Sequence, residues 1–142
     1  MTTVRDMLRK KGSEVYSVTS SETVYDALAS MSKHNTGAVL VMNGNTLEGI
    51  VSERDCVRKV DLMGRNVNAT KVSEIMTTKV IKIDAHQDLE ECMNLMIDNN
   101  IRHLPVYDGA KLMGLISVRD VLKEVVDYQK SLIEQLEQYI KG

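Results

Sequence analysis

The sequence repeats itself at an offset of 65 residues, and this duplication limits the chain to folds built from two similar units. Val15–Val60 aligns with Val80–Val125 without a gap, and 11 of the 46 aligned positions are identical. The strongest shared block reads Leu-x-Gly, two apolar residues, then Ser-x-Arg-Asp, and it begins at Leu47 and again at Leu112. Scattered chance identities do not produce such a block. The chain therefore contains two copies of one structural unit.

Each copy predicts the order strand, helix, strand, strand, helix. Short β-branched runs open the copies, and two further runs in each copy flank an Asn-Gly or Asp-Gly dipeptide, which is the strongest short signal for a hairpin. The predicted strands are Val15–Val18, Ala38–Met42 and Leu47–Val51 in the first copy, and Val80–Ile83, His103–Tyr107 and Leu112–Ile116 in the second. Capping boxes at Thr19-x-x-Glu22 and Asp84-x-x-Gln87 predict where the first helix of each copy begins.

A shorter similarity precedes the copies. Val4–Leu8 resembles Val72–Met76, which predicts a short helical turn that introduces each unit. The polar stretch Asp61–Thr70 is the expected linker. We therefore place the first unit at residues 1–66, the second at 67–126 and a C-terminal helical extension at 127–142.

A three-stranded sheet with both helices on one face leaves its other face apolar. One such unit buries too little surface to be stable alone, whereas two can cover each other. We expect an α+β fold of tandem βαββα repeats, packed sheet to sheet about a pseudo-twofold axis, with a long C-terminal helix.

Composition excludes several classes of function. Eighteen basic and 20 acidic residues give a net charge of −2, without the basic surface that a nucleic-acid-binding protein needs. No apolar run is long enough for a membrane span. Cys56 and Cys92 have no metal-type spacing, and we expect no metal site and a reduced compartment. The expected location is the cytoplasm, or an organellar matrix where a transit peptide has been removed.

The repeated motif has a known counterpart. Gly49–Asp55 and Gly114–Asp120 both match Gly-apolar-apolar-Ser-x-x-Asp, and Glu74–Thr77 and Ile101–Val106 add to the pattern. With these motifs the chain resembles pairs of CBS (cystathionine-β-synthase) domains, also called Bateman modules, over residues 4–126. It is most similar to the stand-alone pairs of bacteria and plant organelles.

The resemblance implies a regulatory ligand in a cleft between the two units. The ligand is AMP, ADP or ATP, or else NAD(H) or S-adenosylmethionine, with AMP as the first expectation. Ser52 and Ser117, each at a helix start, would meet phosphate, and Asp55 and Asp120 would accept the ribose hydroxyls. The adenine would lie near Tyr16 and Ile81, with backbone groups there and near Ala38 and His103 reading its edge. The alternative for Ser-x-x-Asp is simple helix capping, which is compatible with binding.

The two copies differ where phosphate charge would be met. The second has Arg102 and His103, and the first has Gly37 and Ala38 at the same positions. Because Arg and His can neutralise phosphate, we expect the phosphate-rich end near the second copy. The alternative is a surface Arg and a strand His with structural roles. Two further candidates, Arg54 and Arg119, are equally consistent with local salt bridges.

The final helix has no breaker from Val118 to Gly142 and carries an apolar stripe at spacings of three and four residues. The stripe consists of Leu122, Val125, Val126, Leu132, Ile133, Leu136 and Ile140, interrupted by Gln129. We expect it to project and to clasp a homodimer. The alternative is that it folds back on its own chain.

These features favour a non-enzymatic regulatory protein that senses an adenosyl ligand and changes its interactions with a partner that the sequence does not name. The sequence offers no paired carboxylates at catalytic spacing, and no base for Ser52 or Ser117. The second interpretation is a constitutive dimerisation or interaction protein whose pockets stay empty. An enzyme and a nucleic-acid-binding protein are the remaining classes; the lack of a catalytic pattern disfavours the first, and the net negative charge disfavours the second.

Overall fold

The computed structural model describes residues 2–142, and the chain folds as two compact units. The first unit is Val15–Val80. The second unit combines the residues up to Glu14 with Ile81–Gly142. The first unit contains β1 (Ser17–Val18), α2 (Val24–His34), β2 (Ala38–Asn43), β3 (Thr46–Ser52), α3 (Glu53–Cys56) and α4 (Val72–Ile75). The second unit contains α1 (Val4–Lys11), β4 (Ile83–Asp84), α5 (Leu89–Asn99), β5 (His103–Asp108), β6 (Lys111–Ser117) and α6 (Val118–Lys141).

The predicted βαββα order is confirmed in both repeats. Each unit has one three-stranded sheet, in which β1 runs parallel to β2 and β4 parallel to β5, while the next strand pairs antiparallel. Two-residue turns close both hairpins, with Gly44 at φ 59° and Gly109 at φ 61°, a backbone conformation that glycine adopts without strain. The α+β class and the long C-terminal helix are as expected. The first strands are shorter than predicted.

The predicted capping boxes do not begin the helices. The Thr19 N–H does donate to Glu22 Oε2 at 2.6 Å, but these two residues close a turn. A cap at Thr19 would begin the helix at Ser20, whereas α2 begins four residues later, at Val24. Thr23 is the true N-cap, and Asp88 caps α5 in the second unit. The prediction was wrong because a turn and a helix start can use the same side-chain hydrogen bond.

The short helices α1 and α4 each belong to the opposite unit from the one that the sequence predicted. Sequence similarity predicted that each introduces the copy after it. Instead, α4 is held by the first unit, where the Val72 N–H donates to Glu22 O at 2.8 Å. Correspondingly, α1 is held by the second unit, where the Val4 N–H donates to Gln87 O at 2.8 Å and Arg5 pairs with Asp108. The packed units therefore differ from the sequence boundaries 1–66, 67–126 and 127–142, which remain a description of the repeats.

Each unit has its own core of aliphatic and methionine side chains. In the first unit, residues such as Met31, Val41 and Val60 are buried between the sheet and its helices. In the second, Met7 and Leu8 from α1 join Met96 and other buried side chains. Because α1 contributes core residues, it is an integral part of the second unit.

The C-terminal half of α6 has no neighbours in its own unit. Val121 and Glu124 are its buried residues, and every residue from Val126 to Gly142 is exposed. Within the second unit, the C-terminal part of the helix therefore does not fold back on the sheet or on the other helices. Within the described part of the chain, no helix has the length and apolarity to cross a membrane.

Candidate functional site

The first Ser-x-x-Asp motif forms a closed cap at the start of α3. Both the backbone N–H and the Oγ hydroxyl of Ser52 donate to Asp55 Oδ2 at 3.0 Å, and the Asp55 N–H donates to Ser52 Oγ at 3.1 Å. The other carboxylate oxygen, Asp55 Oδ1, lies 3.3 Å from Lys59 Nζ, which also donates to the backbone carbonyl of Ile75 at 2.9 Å. The carboxylate is thus positioned by its own helix and by one lysine.

The second motif repeats this geometry at the start of α6. Asp120 Oδ2 accepts from the Ser117 N–H at 2.8 Å and from Ser117 Oγ at 2.9 Å. It also accepts from Lys11 Nζ at 2.7 Å, and the same ammonium donates to the backbone carbonyl of Leu115 at 2.6 Å. Capping, the alternative interpretation of Ser-x-x-Asp, therefore describes the hydrogen bonding of both turns.

The charge state of Asp120 follows from these contacts. Burial acts to raise the pKa of its carboxyl group, but hydrogen bonds from Lys11 and from the Ser117 backbone outweigh it. The net effect is a pKa below the usual range. Asp120 is therefore ionised at neutral pH, with a cation beside it.

The strand ends that the sequence selected lie beside the two motifs. Ala38 is paired with Ser52 across the first sheet, and His103 is paired with Ser117 across the second. The residues just before Ala38 and His103 are hydrogen-bonded to the first residues of α3 and α6. The Glu53 N–H donates to Gly37 O at 3.0 Å, and the Val118 N–H donates to Arg102 O at 2.8 Å. Each unit therefore brings together its own candidates: Gly37, Ala38, Ser52 and Asp55 in the first, and Arg102, His103, Ser117 and Asp120 in the second.

The environment of His103 makes its ring neutral at pH 7. Burial lowers its pKa from 6.5 to about 4, and the nearby cations Lys11 and Arg102 act in the same direction, while Asp120 opposes them. The sequence prediction treated this side chain as a source of positive charge for phosphate. At neutral pH it offers hydrogen bonding only, and the positive charge comes from Arg102, which is exposed, and from Lys11.

The two candidates for adenine contact lie just before the first strand of each unit. The Tyr16 ring stacks on the His34 ring with centroids 3.6 Å apart and planes 7° apart, and its backbone carbonyl accepts from the Leu40 N–H at 3.1 Å. His34, the last residue of α2, is half-buried, because this stacking covers part of its ring. Ile81 packs against the core of the second unit.

Of the two arginines within the motifs, Arg54 is partly buried in α3 and Arg119 is exposed in the first turn of α6. The cysteines are buried, and burial raises the pKa of both Cys56 and Cys92 to about 11, so that neither is a reactive thiolate at neutral pH. Among residues 2–142, no three His, Cys, Asp or Glu side chains are grouped closely enough to hold a metal ion.

Sequence reasoning missed Lys11 and Lys59, the two ammonium groups that contact the motif carboxylates. Lys59 lies four residues after Asp55, in the π-helical turn Val57–Asp61 that continues α3, and that spacing is a recognisable signal for an ion pair. Lys11 lies 109 residues before Asp120, and no local pattern indicates that they meet.

Comparison with known proteins gives a family match over both copies of the repeat. The model of the CBS domain family matches residues 3–62 and again 72–127. A relative from Arabidopsis thaliana, "CBS domain-containing protein CBSX3, mitochondrial", is 37% identical over 99% of this chain and 73% of its own length.

Solved structures are similar over most of the chain. A protein with CBS domains from Burkholderia ambifaria superposes with a TM-score of 0.86 at 46% identity, covering 89% of this chain and 95% of that one. A hexameric CBS-CP12 protein from bloom-forming cyanobacteria superposes with a TM-score of 0.75 at 28% identity, covering 84% of this chain and 70% of that one. The chain belongs to the CBS domain family and carries two CBS domains, one for each copy of its internal repeat.

Proposed function

We propose that this protein is a regulatory module that binds an adenosyl ligand at its two Ser-x-x-Asp turns and couples occupancy to its interactions with other chains. CBS domain proteins are generally regulatory, and CBS domains in general bind adenosyl ligands. The observation that carries the proposal is the duplication of one arrangement. In both units a capped helix start lies directly beside the first residues of the central strand.

The turns have the chemistry that a nucleoside needs. An ionised carboxylate can accept both hydroxyls of a ribose, and a serine hydroxyl at a helix start can donate to phosphate. Asp55 and Asp120 each have a lysine as a partner. A ribose would therefore add to, or replace part of, hydrogen bonding that already holds the carboxylates in place.

The second unit is the better candidate for the phosphate end. Lys11 and Arg102 supply two positive charges near His103, whereas Gly37 and Ala38 occupy the matching strand positions in the first unit. A phosphate beside His103 would also favour the protonated ring and raise its pKa. We therefore expect unequal affinity at the two turns, and AMP, ADP or ATP ahead of NAD(H) or S-adenosylmethionine.

Thermal unfolding in the presence of ligands tests the proposal. A ligand that binds only the folded protein, at about 100 times its dissociation constant, adds about 2.7 kcal/mol of stability. AMP, ATP, NADH, S-adenosylmethionine and adenosine should be compared at matched ionic strength. A rise in melting temperature with at least one adenosyl compound, and none with inorganic phosphate alone, is the expected result. No rise with any compound would contradict it.

A second candidate is a constitutive interaction protein that binds no ligand at these turns. It is favoured by one observation, the internal pairing of both motif carboxylates with a serine and a lysine. Under this function the thermal measurement shows no shift, and oligomer formation is independent of nucleotide.

The proposed function also includes a catalytic status, an assembly and a location for the protein. We propose that the protein has no catalytic activity, and release of products from a bound nucleotide would contradict this. The proposed assembly is a homodimer, and the proposed location is the cytoplasm. An organellar matrix is the alternative, because the Arabidopsis relative is named as mitochondrial.

A further inference from the structure

The exposed part of α6 carries a regular seam of side chains. Positions spaced alternately by four and three residues lie on one face of the helix, which is the spacing of a coiled coil. The seam is Leu122, Val126, Gln129, Ile133, Leu136 and Ile140, and its apolar members are between 46% and 82% exposed. Within its own unit, nothing among residues 2–142 covers this face from Val126 onward.

The residue types along the seam follow a rule for two parallel strands. The β-branched residues Val126, Ile133 and Ile140 occupy every second position, and the positions between them hold leucine or Gln129. β-Branched residues at the first core position of a heptad and leucine at the second favour a parallel two-stranded coiled coil. These residue types therefore favour two helices in the coiled coil and a parallel direction for them.

Gln129 indicates which helix forms the other strand. Its amide lies in the middle of an otherwise apolar seam, and a buried amide is costly unless it is hydrogen-bonded. In a parallel pair of identical helices it faces Gln129 of the second copy, and each amide can donate to and accept from the other. A purely apolar partner helix would leave it unsatisfied.

The opposite direction is disfavoured by polarity. An antiparallel pair that matches the same seam over Leu122–Ile140 places Gln129 against Ile133 of the second copy, so that the amide faces an apolar side chain. Its flanking charges do not decide the direction, because Lys130 meets Lys130 while Lys123 meets Glu137. The parallel pair brings no like charges together, because Val125 and Leu132 occupy the flanking positions that would face Lys130 and Glu137.

We infer that α6 forms a parallel, in-register, two-stranded coiled coil with α6 of a second copy of this chain, through the seam Leu122–Ile140. This inference rests on the homodimer of the proposed function and gives it a specific surface and direction. It is independent of whether a nucleotide binds.

The first test is the mass of the full chain in solution, measured by light scattering or analytical ultracentrifugation. We expect the mass of two chains for the wild type. Ile133→Asp places a charge in the seam and should raise the dissociation constant at least about tenfold. Ser131→Asp, two residues away on the outer face, is the matched control and should leave the dimer intact. Circular dichroism checks that both variants fold, since neither position is buried.

The second test fixes the direction. Leu136→Cys should form an intermolecular disulfide readily under mild oxidation, because the two sulfurs face each other in the parallel register. In the antiparallel register the two sites lie ten residues apart, or about 15 Å along the axis. The wild type is the control, since Cys56 and Cys92 are both buried.

The outcomes separate the coiled coil from the wider proposal. If Ile133→Asp remains a dimer as tight as the wild type, α6 is not the interface, although the homodimer stands. A monomeric wild type overturns both. A mass of three or four chains, or no disulfide in a dimeric Leu136→Cys, overturns the parallel two-stranded arrangement. Nucleotide binding measured on Ile133→Asp tests the ligand proposal separately.

Discussion

The ammonium of Lys11 lies 2.7 Å from the carboxylate of Asp120, although 109 residues separate them in the chain. Lys11 is the last residue of α1, and Asp120 is in the first turn of α6. The contact joins the beginning of the chain to the ligand motif of the second repeat. It therefore links the packing of α1 to the charge of the candidate site.

Replacing Lys11 by methionine should weaken the second unit and its proposed phosphate end. The pair is partly exposed, with 35% of the Lys11 side chain and 21% of the Asp120 side chain accessible, so we expect a loss of about 1 kcal/mol in the free energy of unfolding. Urea denaturation at pH 7 measures this loss. The affinity for ATP should fall more than the affinity for adenosine.

Arg9→Met is the matched control for Lys11→Met, because it removes a cation from the same last turn of α1. Arg9 is 71% exposed and lies 3.7 Å from its partner Asp6, and removing an exposed pair of this kind should change stability by only a few tenths of a kcal/mol. Equal losses of stability for Lys11→Met and Arg9→Met would show that the contact between Lys11 and Asp120 stabilises the fold no more than an exposed ion pair does.

The neutral ring of His103 predicts a loss of stability on mild acidification. Its pKa is about 4 when folded and 6.5 when unfolded, so the unfolded chain binds more protons between these values, and stability falls as pH is lowered from about 6.5 to about 4. The loss is at most about 3 kcal/mol. The depressed pKa of Asp120 contributes stability that is present above 3.8 and lost only below it, as pH falls through its folded pKa.

His103→Gln should therefore flatten the dependence of stability on pH between 7 and 5, as measured by urea denaturation at several pH values. His86→Gln is the control, since His86 is exposed and pairs with Asp84. A protein whose pH dependence is the same with and without His103 would rule out this explanation.

The glycines of the two motifs should differ in their tolerance of alanine. A Cβ on Gly49 would lie 2.8 Å from the backbone carbonyl of Thr77, whereas a Cβ on Gly114 would lie 2.8 Å from the end of the Leu8 side chain. A side chain can rotate away, but the Thr77 carbonyl is bound to the Ile50 N–H at 3.0 Å. Gly49→Ala should cost about 1–3 kcal/mol and Gly114→Ala less. Thermal or urea unfolding ranks them, and the reverse order would contradict the packing described for Thr77.

Asp55→Asn and Asp120→Asn test the proposed ribose contacts while retaining much of the helix caps. An asparagine oxygen can still accept from the serine backbone, but it lacks the charge and the second acceptor that a ribose would use. Each variant should lose at least about tenfold in affinity for the adenosyl ligand, measured by calorimetry.

Asp26→Asn provides the control for those two variants. Asp26 forms the same capping box with Thr23, at 3.1 and 3.2 Å, but in α2 and outside the motif. It should share any cost in stability and leave affinity unchanged. Affinity that survives at both Asp55→Asn and Asp120→Asn would remove these carboxylates from the site.

The sequence by itself determined the parts of this protein that depend on neighbouring residues. The βαββα order, the glycine turns at Gly44 and Gly109 and the serine caps at Ser52 and Ser117 were all predicted, because each follows from local hydrogen bonding and from side-chain periodicity. Thr19 shows the limit of this reasoning, since the same local signal closes a turn there and does not begin a helix.

Only the tertiary structure decided which repeat each short helix supports and which cations meet the motif carboxylates. α1 packs on the second unit, far along the chain, because its buried Val4, Met7 and Leu8 complete the core there. That packing brings Lys11 to Asp120 and, with burial, keeps His103 neutral. Such contacts depend on the sum of many weak interactions between distant segments, and no short pattern of residues encodes them.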